Sequence, residues 1–104
     1  MHQLQKGMKS FYVYILKCSD NTFYTGITNN LDRRLNEHAT GIHKESYTYS
    51  RRPVELVYHE KLNNPELAIR WEKRIKNWSQ KKKQALIDGD WEKLVEYSKS
   101  KLNN

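Results

Sequence analysis

FYVYILKCSDNTFYTG, residues 11–26, decides the fold of this chain. Phe11-Tyr12-Val13-Tyr14-Ile15-Leu16 is aromatic and β-branched with no breaker inside it, the composition of a strand. Asp20-Asn21 is a turn signal, and Thr22-Phe23-Tyr24-Thr25 resumes the β pattern. The two runs are predicted to form a hairpin. Gly26 ends the second run, at a point where a side chain would block a close approach of backbone or ligand.

Working outward from the hairpin, Asn29 or Asn30 caps a helix starting near Leu31, with Asp32 in its first turn. Leu31, Leu35, His38 and Ala39 fall on one face at helical spacing, and Gly41 is the natural stop. A polar, aromatic and basic loop follows, from Ile42 to Arg52. Pro53 then leads into Val54-Glu55-Leu56-Val57-Tyr58, a third strand for the same sheet. Asn64-Pro65-Glu66 opens a second helix whose expected buried stripe is Leu67, Ala68, Trp71, Ile75 and Trp78. Ser79 interrupts, and a basic third helix runs from Lys81-Lys82-Lys83 through Ile87. Asp88-Gly89-Asp90 breaks it before a last amphipathic helix using Trp91, Leu94, Val95 and Tyr97. The order ββαβααα predicts an α+β domain, a small three-stranded antiparallel sheet flanked by helices. One domain is expected over 11–98, with a flexible N-terminal segment over 1–10 and a frayed C-terminal tail over 99–104.

A chain of 104 residues with 37% apolar content has material for one modest core. No apolar run approaches bilayer length, and the first ten residues lack the apolar stretch of a secretory signal, so a soluble cytoplasmic protein without membrane contact is expected. Cys18 is the sole cysteine, which excludes an internal disulfide and a cysteine-built zinc cage; a small strand residue is its expected role. Nineteen Lys and Arg against twelve Asp and Glu give a formal charge of +7. That balance attracts polyanions, of which nucleic acid is the commonest in a cell, although charge alone is non-specific.

Several polar residues stand where a core-builder would not place them. Arg34 and His38 are one helical turn apart on the same flank, beside the apolar Leu31 and Leu35. Glu72 follows Trp71 at the edge of the second helix's buried face. Tyr14 and Tyr24 lie on the two hairpin strands. Each has an ordinary alternative: packing phenols, a satisfied core histidine, or a Glu72–Lys76 pair at i, i+4. Their joint pattern carries the weight.

Tyr12-Val13-Tyr14 and Tyr24-Thr25-Gly26 resemble the GIY…YIG signature of the GIY-YIG nuclease superfamily. Arg34 and His38 stand at the helix positions where that family has arginine and a histidine or tyrosine, and Glu72 matches its metal-binding glutamate. The resemblance covers about residues 11 to 87 and is closest to the small stand-alone bacterial members, which are similar to the N-terminal nuclease domain found in the bacterial repair excinuclease. In the first triplet Tyr12-Val13 replaces Gly-Ile, and in the second Thr25 replaces the middle isoleucine. The resemblance implies a metal-dependent endonuclease hydrolysing DNA phosphodiester bonds, structure-selective or repair-related, with one Mg²⁺ or Mn²⁺ on Glu72. It further implies that Arg34 stabilises the charge building at phosphorus, and that a signature tyrosine deprotonates or aligns the attacking water with His38 assisting. The sequence does not choose between the two tyrosines; Tyr14 as base and Tyr24 as positioning hydroxyl is the working assignment. DNA, with RNA as an alternative, is expected to meet Lys44, Tyr47, Tyr49, Arg51 and Arg52 in the loop, and Lys76, Lys81, Lys82 and Lys83 on the later helices. The competing possibility is a non-catalytic or weakly catalytic DNA- or RNA-binding module on the same scaffold; protein partners are not specified by the sequence.

Overall fold

The computed structural model describes residues 10–102. The expected flexible segment therefore lies, apart from Ser10, outside the described residues, as does the end of the expected tail. Strands β1 (Phe11–Lys17) and β2 (Phe23–Thr28) form the hairpin, followed by helix α1 (Leu31–Thr40), a short 3-10 turn (Tyr49–Arg51) and strand β3 (Glu55–Leu62). Helices α2 (Pro65–Lys76), α3 (Gln80–Asp88) and α4 (Trp91–Leu102) complete the ββαβααα order. The sheet is antiparallel with order β2-β1-β3.

Local chemistry accounts for the boundaries. Asn21 adopts the left-handed conformation (φ 68°) that closes the three-residue turn between Cys18 and Thr22, whose backbone N–H and C=O meet at 2.9 Å. Of the two asparagines before α1, Asn30 is the cap, its side chain accepting from the Arg33 N–H at 3.0 Å. Gly41 ends that helix at φ 69°. Asn64 caps α2 by accepting from the N–H groups of Glu66 and Leu67, with Pro65 at the first helical position.

Alternation along β1 divides the molecule. Val13 and Ile15, both fully buried, point toward a core formed with Ala68 and Ile75 of α2 and Leu86 of α3. Phe11, Phe23, Ile27, Val57, Tyr58, Leu62, Trp71 and Trp78 pack around it. Tyr14 and Leu16 point the other way. Their cross-strand partners Gly26 and Tyr24 share that face, and α1 reaches it at its C-terminal end.

The differences from the sequence-based expectation are local. β2 does not end at Gly26; Ile27 and Thr28 remain paired with Val13 and Tyr12, so the glycine sits inside the strand. β3 extends to Leu62 because Phe11 to Tyr14 pair with Leu62 to His59. Cys18, buried, lies one residue past β1. Leu67, Trp91 and Val95 are exposed, as is Ala39: each helix packs through a narrower stripe than its apolar residues suggest. α4 runs through Leu102, and within it Ser98 donates its hydroxyl to the Leu94 carbonyl at 2.8 Å. No helix among the described residues is long and apolar enough to cross a membrane.

Ile75→Ala is expected to lower unfolding stability in urea by about 2–4 kcal/mol, since a fully packed side chain leaves a cavity. Leu67→Ala is expected to change it by less than about 1 kcal/mol. Equal losses would overturn the placement of the core.

Candidate functional site

Tyr14 lies directly opposite Gly26, and its ring crosses that residue: a Cβ at position 26 would come within 2.5 Å of the Tyr14 Cζ. The backbone there needs no unusual φ. The glycine is required by the ring, a clearer reason than the close approach inferred from sequence. The phenol, fully buried, pairs with Nε2 of His38 at 2.9 Å. On its other side the imidazole pairs through Nδ1 with the hydroxyl of Thr48 at 2.8 Å, and Thr48 in turn meets the Ser46 hydroxyl at 3.1 Å. Strand, helix and loop are thus joined by one buried row of polar groups.

The row is held neutral. Burial first, and then the Arg34 charge, push the imidazole from its ordinary 6.5 down to about 4. Burial first, and then Tyr24, push the Tyr14 phenol well above its ordinary range; the Arg34 charge and hydrogen bonding pull in the opposite direction without prevailing. With one proton on the imidazole, the Nδ1–H form donates to Thr48 and accepts from the Tyr14 hydroxyl, and every polar atom of the row is satisfied.

Tyr24 is the phenol open to solvent. Its ring lies 6.3 Å from Tyr14 and 5.2 Å from His38, and stacks on Tyr47 at 6.1 Å with planes 24° apart. The Arg51 guanidinium lies 3.8 Å from the Tyr47 ring centre, while its Nε donates to Asp20 at 3.1 Å. Arg34 is held by Glu37, its NH1 donating to Oε1 at 2.9 Å. Tyr24 and Tyr47 form the shared wall of two open hollows. One, of about 330 Å³, is lined also by Arg34, His43, Glu45 and Ser46. The other, of about 370 Å³, is lined also by Phe23, Thr25, Lys76 and Lys83.

Four of the five residues singled out in the sequence, Tyr14, Tyr24, Arg34 and His38, therefore gather at one place. Glu72 does not join them directly. It lies on α2 with Ala68 and Ile75, on the stripe that packs against the opposite face of the sheet, and is 8% exposed. It reaches toward Tyr24 at the β2 edge through Lys76, whose ammonium is 2.8 Å from Glu72 Oε2 and shares the second hollow with Tyr24. The i, i+4 pair expected as the ordinary alternative is formed. As a metal ligand Glu72 would act alone among protein carboxylates: no group of three His, Cys, Asp or Glu that could hold an ion occurs among the described residues. That donor set fits a hard cation whose remaining ligands are water and phosphate oxygens. The Lys76 side chain that covers this carboxylate is 56% exposed.

The nucleic-acid candidates separate. Lys44 is exposed. Tyr47, 42% exposed, contacts both Tyr24 and Arg51, and Arg52 lies over Tyr49 at 4.6 Å. The three consecutive lysines diverge around α3. Lys81 lies over Tyr97 and Lys83 lines the second hollow, whereas Lys82 is buried with its ammonium 4.3 Å from the Trp78 ring, turned inward rather than toward a ligand. Thr48, Glu37 and Thr25 are absent from the sequence-derived set. Glu37 was discoverable as an acid three residues after Arg34 on a helix. Thr48 carried no signal, because its role depends on the path of an irregular loop.

A family model described as the GIY-YIG catalytic domain matches residues 10–85. The chain is 44% identical over 87 residues to a UPF0213 protein of Syntrophus aciditrophicus (strain SB), an alignment covering 84% of this chain and 100% of that protein. It is 45% identical to a UPF0213 protein of Natronomonas pharaonis, over 73% of this chain and 88% of that one. Among solved structures, the solution NMR structure of a UPF0213 protein from Bacillus halodurans matches with TM-score 0.51 and 42% identity, covering 76% of this chain and 83% of that one. A solution NMR structure of a protein from E. faecalis matches with TM-score 0.57 and 35% identity, covering 78% and 85%.

Two measurements check the geometry. Because neutral His38 is favoured in the folded state, its contribution to stability is complete above about pH 6.5 and is lost as the pH falls toward 4. Between about pH 7 and 4, wild type should lose about 1–3 kcal/mol more than His38→Gln in urea unfolding; parallel curves would remove the neutral row. Gly26→Ala should be destabilised by about 1–3 kcal/mol as the Tyr14 ring is displaced, and Gly26→Ala combined with Tyr14→Ala should recover part of that loss.

Proposed function

The chain belongs to the GIY-YIG family, a nuclease family whose members act on DNA, and from that membership we propose that it is an endonuclease cutting DNA phosphodiester bonds with a divalent cation, Mg²⁺ or Mn²⁺, on Glu72. The observation that carries this proposal is the gathering of Arg34 and the open phenol of Tyr24 over a neutral, fully hydrogen-bonded row of Tyr14, His38 and Thr48. A scaffold that only binds DNA has no evident use for a buried polar row beneath a half-buried phenol that lines two open hollows.

Hydrolysis needs a placed water and relief of the negative charge that builds on the phosphoryl oxygens. Arg34, half-buried and fixed by Glu37, supplies a permanent charge and a planar fork suited to two of those oxygens. When bound, the cation on Glu72 would supply Lewis acidity to the phosphoryl oxygens and make a bound water more acidic than bulk water. A weaker base than hydroxide then suffices to activate it. The proposed roles depart from the working assignment of Tyr14 as base. Tyr14 is sealed from solvent and its proton is held tightly by burial, so it serves as support; Tyr24 is the hydroxyl that meets water and phosphate. His38 and Thr48 fix the Tyr14 ring and, through it, the position of Tyr24.

The test is cleavage of single-stranded, duplex, flapped and branched DNA with Mg²⁺ or Mn²⁺, and with a chelator. Glu72→Ala and Arg34→Ala should each lose about 100-fold or more. Tyr24→Phe should lose more than Tyr14→Phe. Cutting that survives in the chelator or in Glu72→Ala would refute the proposal, and salt-sensitive binding without cutting would identify a binding module instead.

A further inference from the structure

Thr25, the residue standing where the second signature triplet ordinarily has isoleucine, is 2% exposed, yet lines the hollow that holds Lys76 and Lys83. Its Oγ1 is buried without a hydrogen-bond partner, the sole side-chain atom in that condition among the described residues. Such an orphan disfavours the folded state, so a hydroxyl here calls for a polar ligand. The charges around it are positive. Lys83 is half-buried; burial first, and then the neighbouring Lys76, lower its pKa from the ordinary value, and among the described residues no carboxylate lies within ion-pair distance of it. Lys76 is paired with Glu72, but its side chain is 56% exposed. An unpartnered hydroxyl and two ammonium groups around one hollow are a recognition set for an anion carrying several oxygens.

We infer that the hollow bounded by Thr25, Lys76 and Lys83 is a subsite for the DNA phosphate next to the one that is cut, and that Lys76 enters it by leaving Glu72. The inference rests on the nuclease proposal. In the free chain Lys76 occupies the place of a cation on the carboxylate. The arriving phosphate offers the lysine another partner, and Glu72 is uncovered as the substrate docks. Phosphate and cation then assist one another by the same factor, as linkage requires.

Two binding measurements test this. Mn²⁺ binding to the DNA-free protein, followed by electron paramagnetic resonance, should be about three- to tenfold tighter for Lys76→Gln than for wild type, with Lys76→Arg close to wild type. Binding of a short DNA duplex in chelator, titrated with salt, should show a slope reduced by about one in Lys76→Gln and in Lys83→Gln. Thr25→Val, which removes the orphan hydroxyl, should unfold at higher temperature while binding DNA more weakly, a combination that a purely structural role does not give. Equal Mn²⁺ affinity in wild type and Lys76→Gln, or no Mn²⁺ binding in either, overturns the displacement. Unchanged salt slopes in both lysine variants overturn the subsite. The nuclease proposal is judged separately, by whether Glu72→Ala abolishes metal-dependent cutting.

Discussion

The hydrogen bond between the Tyr14 hydroxyl and His38 Nε2 ties the first strand to the first helix in a place water does not reach. A buried polar bond of this kind adds little net stability when made and is expensive when broken, so its main effect is to select one arrangement. Several placements follow from it. The ring must lie flat across β2, which leaves room only for a glycine at position 26. The imidazole must present its second nitrogen outward, which draws in Thr48 and fixes the loop that carries Ser46 and Tyr47. Tyr47 then supports Tyr24, and Arg51 and Asp20 tie that stack back to the hairpin turn.

The architecture was largely legible in the sequence because it is written in local rules. The hairpin turn, the asparagine caps and the glycine stops depend on neighbours within a few residues, and each falls where local chemistry requires it. Tyr14, Tyr24, Arg34 and His38 were legible by their pattern and by the family resemblance. The remainder depends on long-range geometry. Thr48 matters because a loop returns to α1, Thr25 because its own face of β2 looks into a hollow closed by α2 and α3, and Lys82 because one step along a helix rotates a side chain by about 100°. Which of the two tyrosines is sealed was also hidden, since spacing does not reveal burial.

Glu72 and the phenols arise on opposite faces of a three-stranded sheet, and only the β2 edge lets them face a common ligand. That arrangement separates two electrostatic environments. On one side a neutral hydrogen-bonded row sits beside a fixed guanidinium; on the other a carboxylate is already neutralised by an ammonium. The two are kept apart by backbone, so Arg34 does not collapse onto Glu72 and instead takes Glu37, three residues along its own helix. Arg34 and Glu72 thus each have a nearby partner in the free protein, with which any ligand of either group would have to compete.

Among the described residues, a sheet ordered β2-β1-β3 leaves one row of backbone donors and acceptors without a strand partner along each outer strand. Such rows invite strand addition from a second chain, the first step of aggregation. β3 guards its row with exposed Glu55, His59, Glu60 and Lys61, a mixed set of charges and a histidine that a neighbouring strand would have to desolvate. At the β2 side, Lys76 and Lys83 stand beside Phe23 and Thr25. The lysines that the proposed phosphate subsite would use also repel another copy of the same basic chain, so one set of positive charges would serve both ligand attraction and protection against self-association.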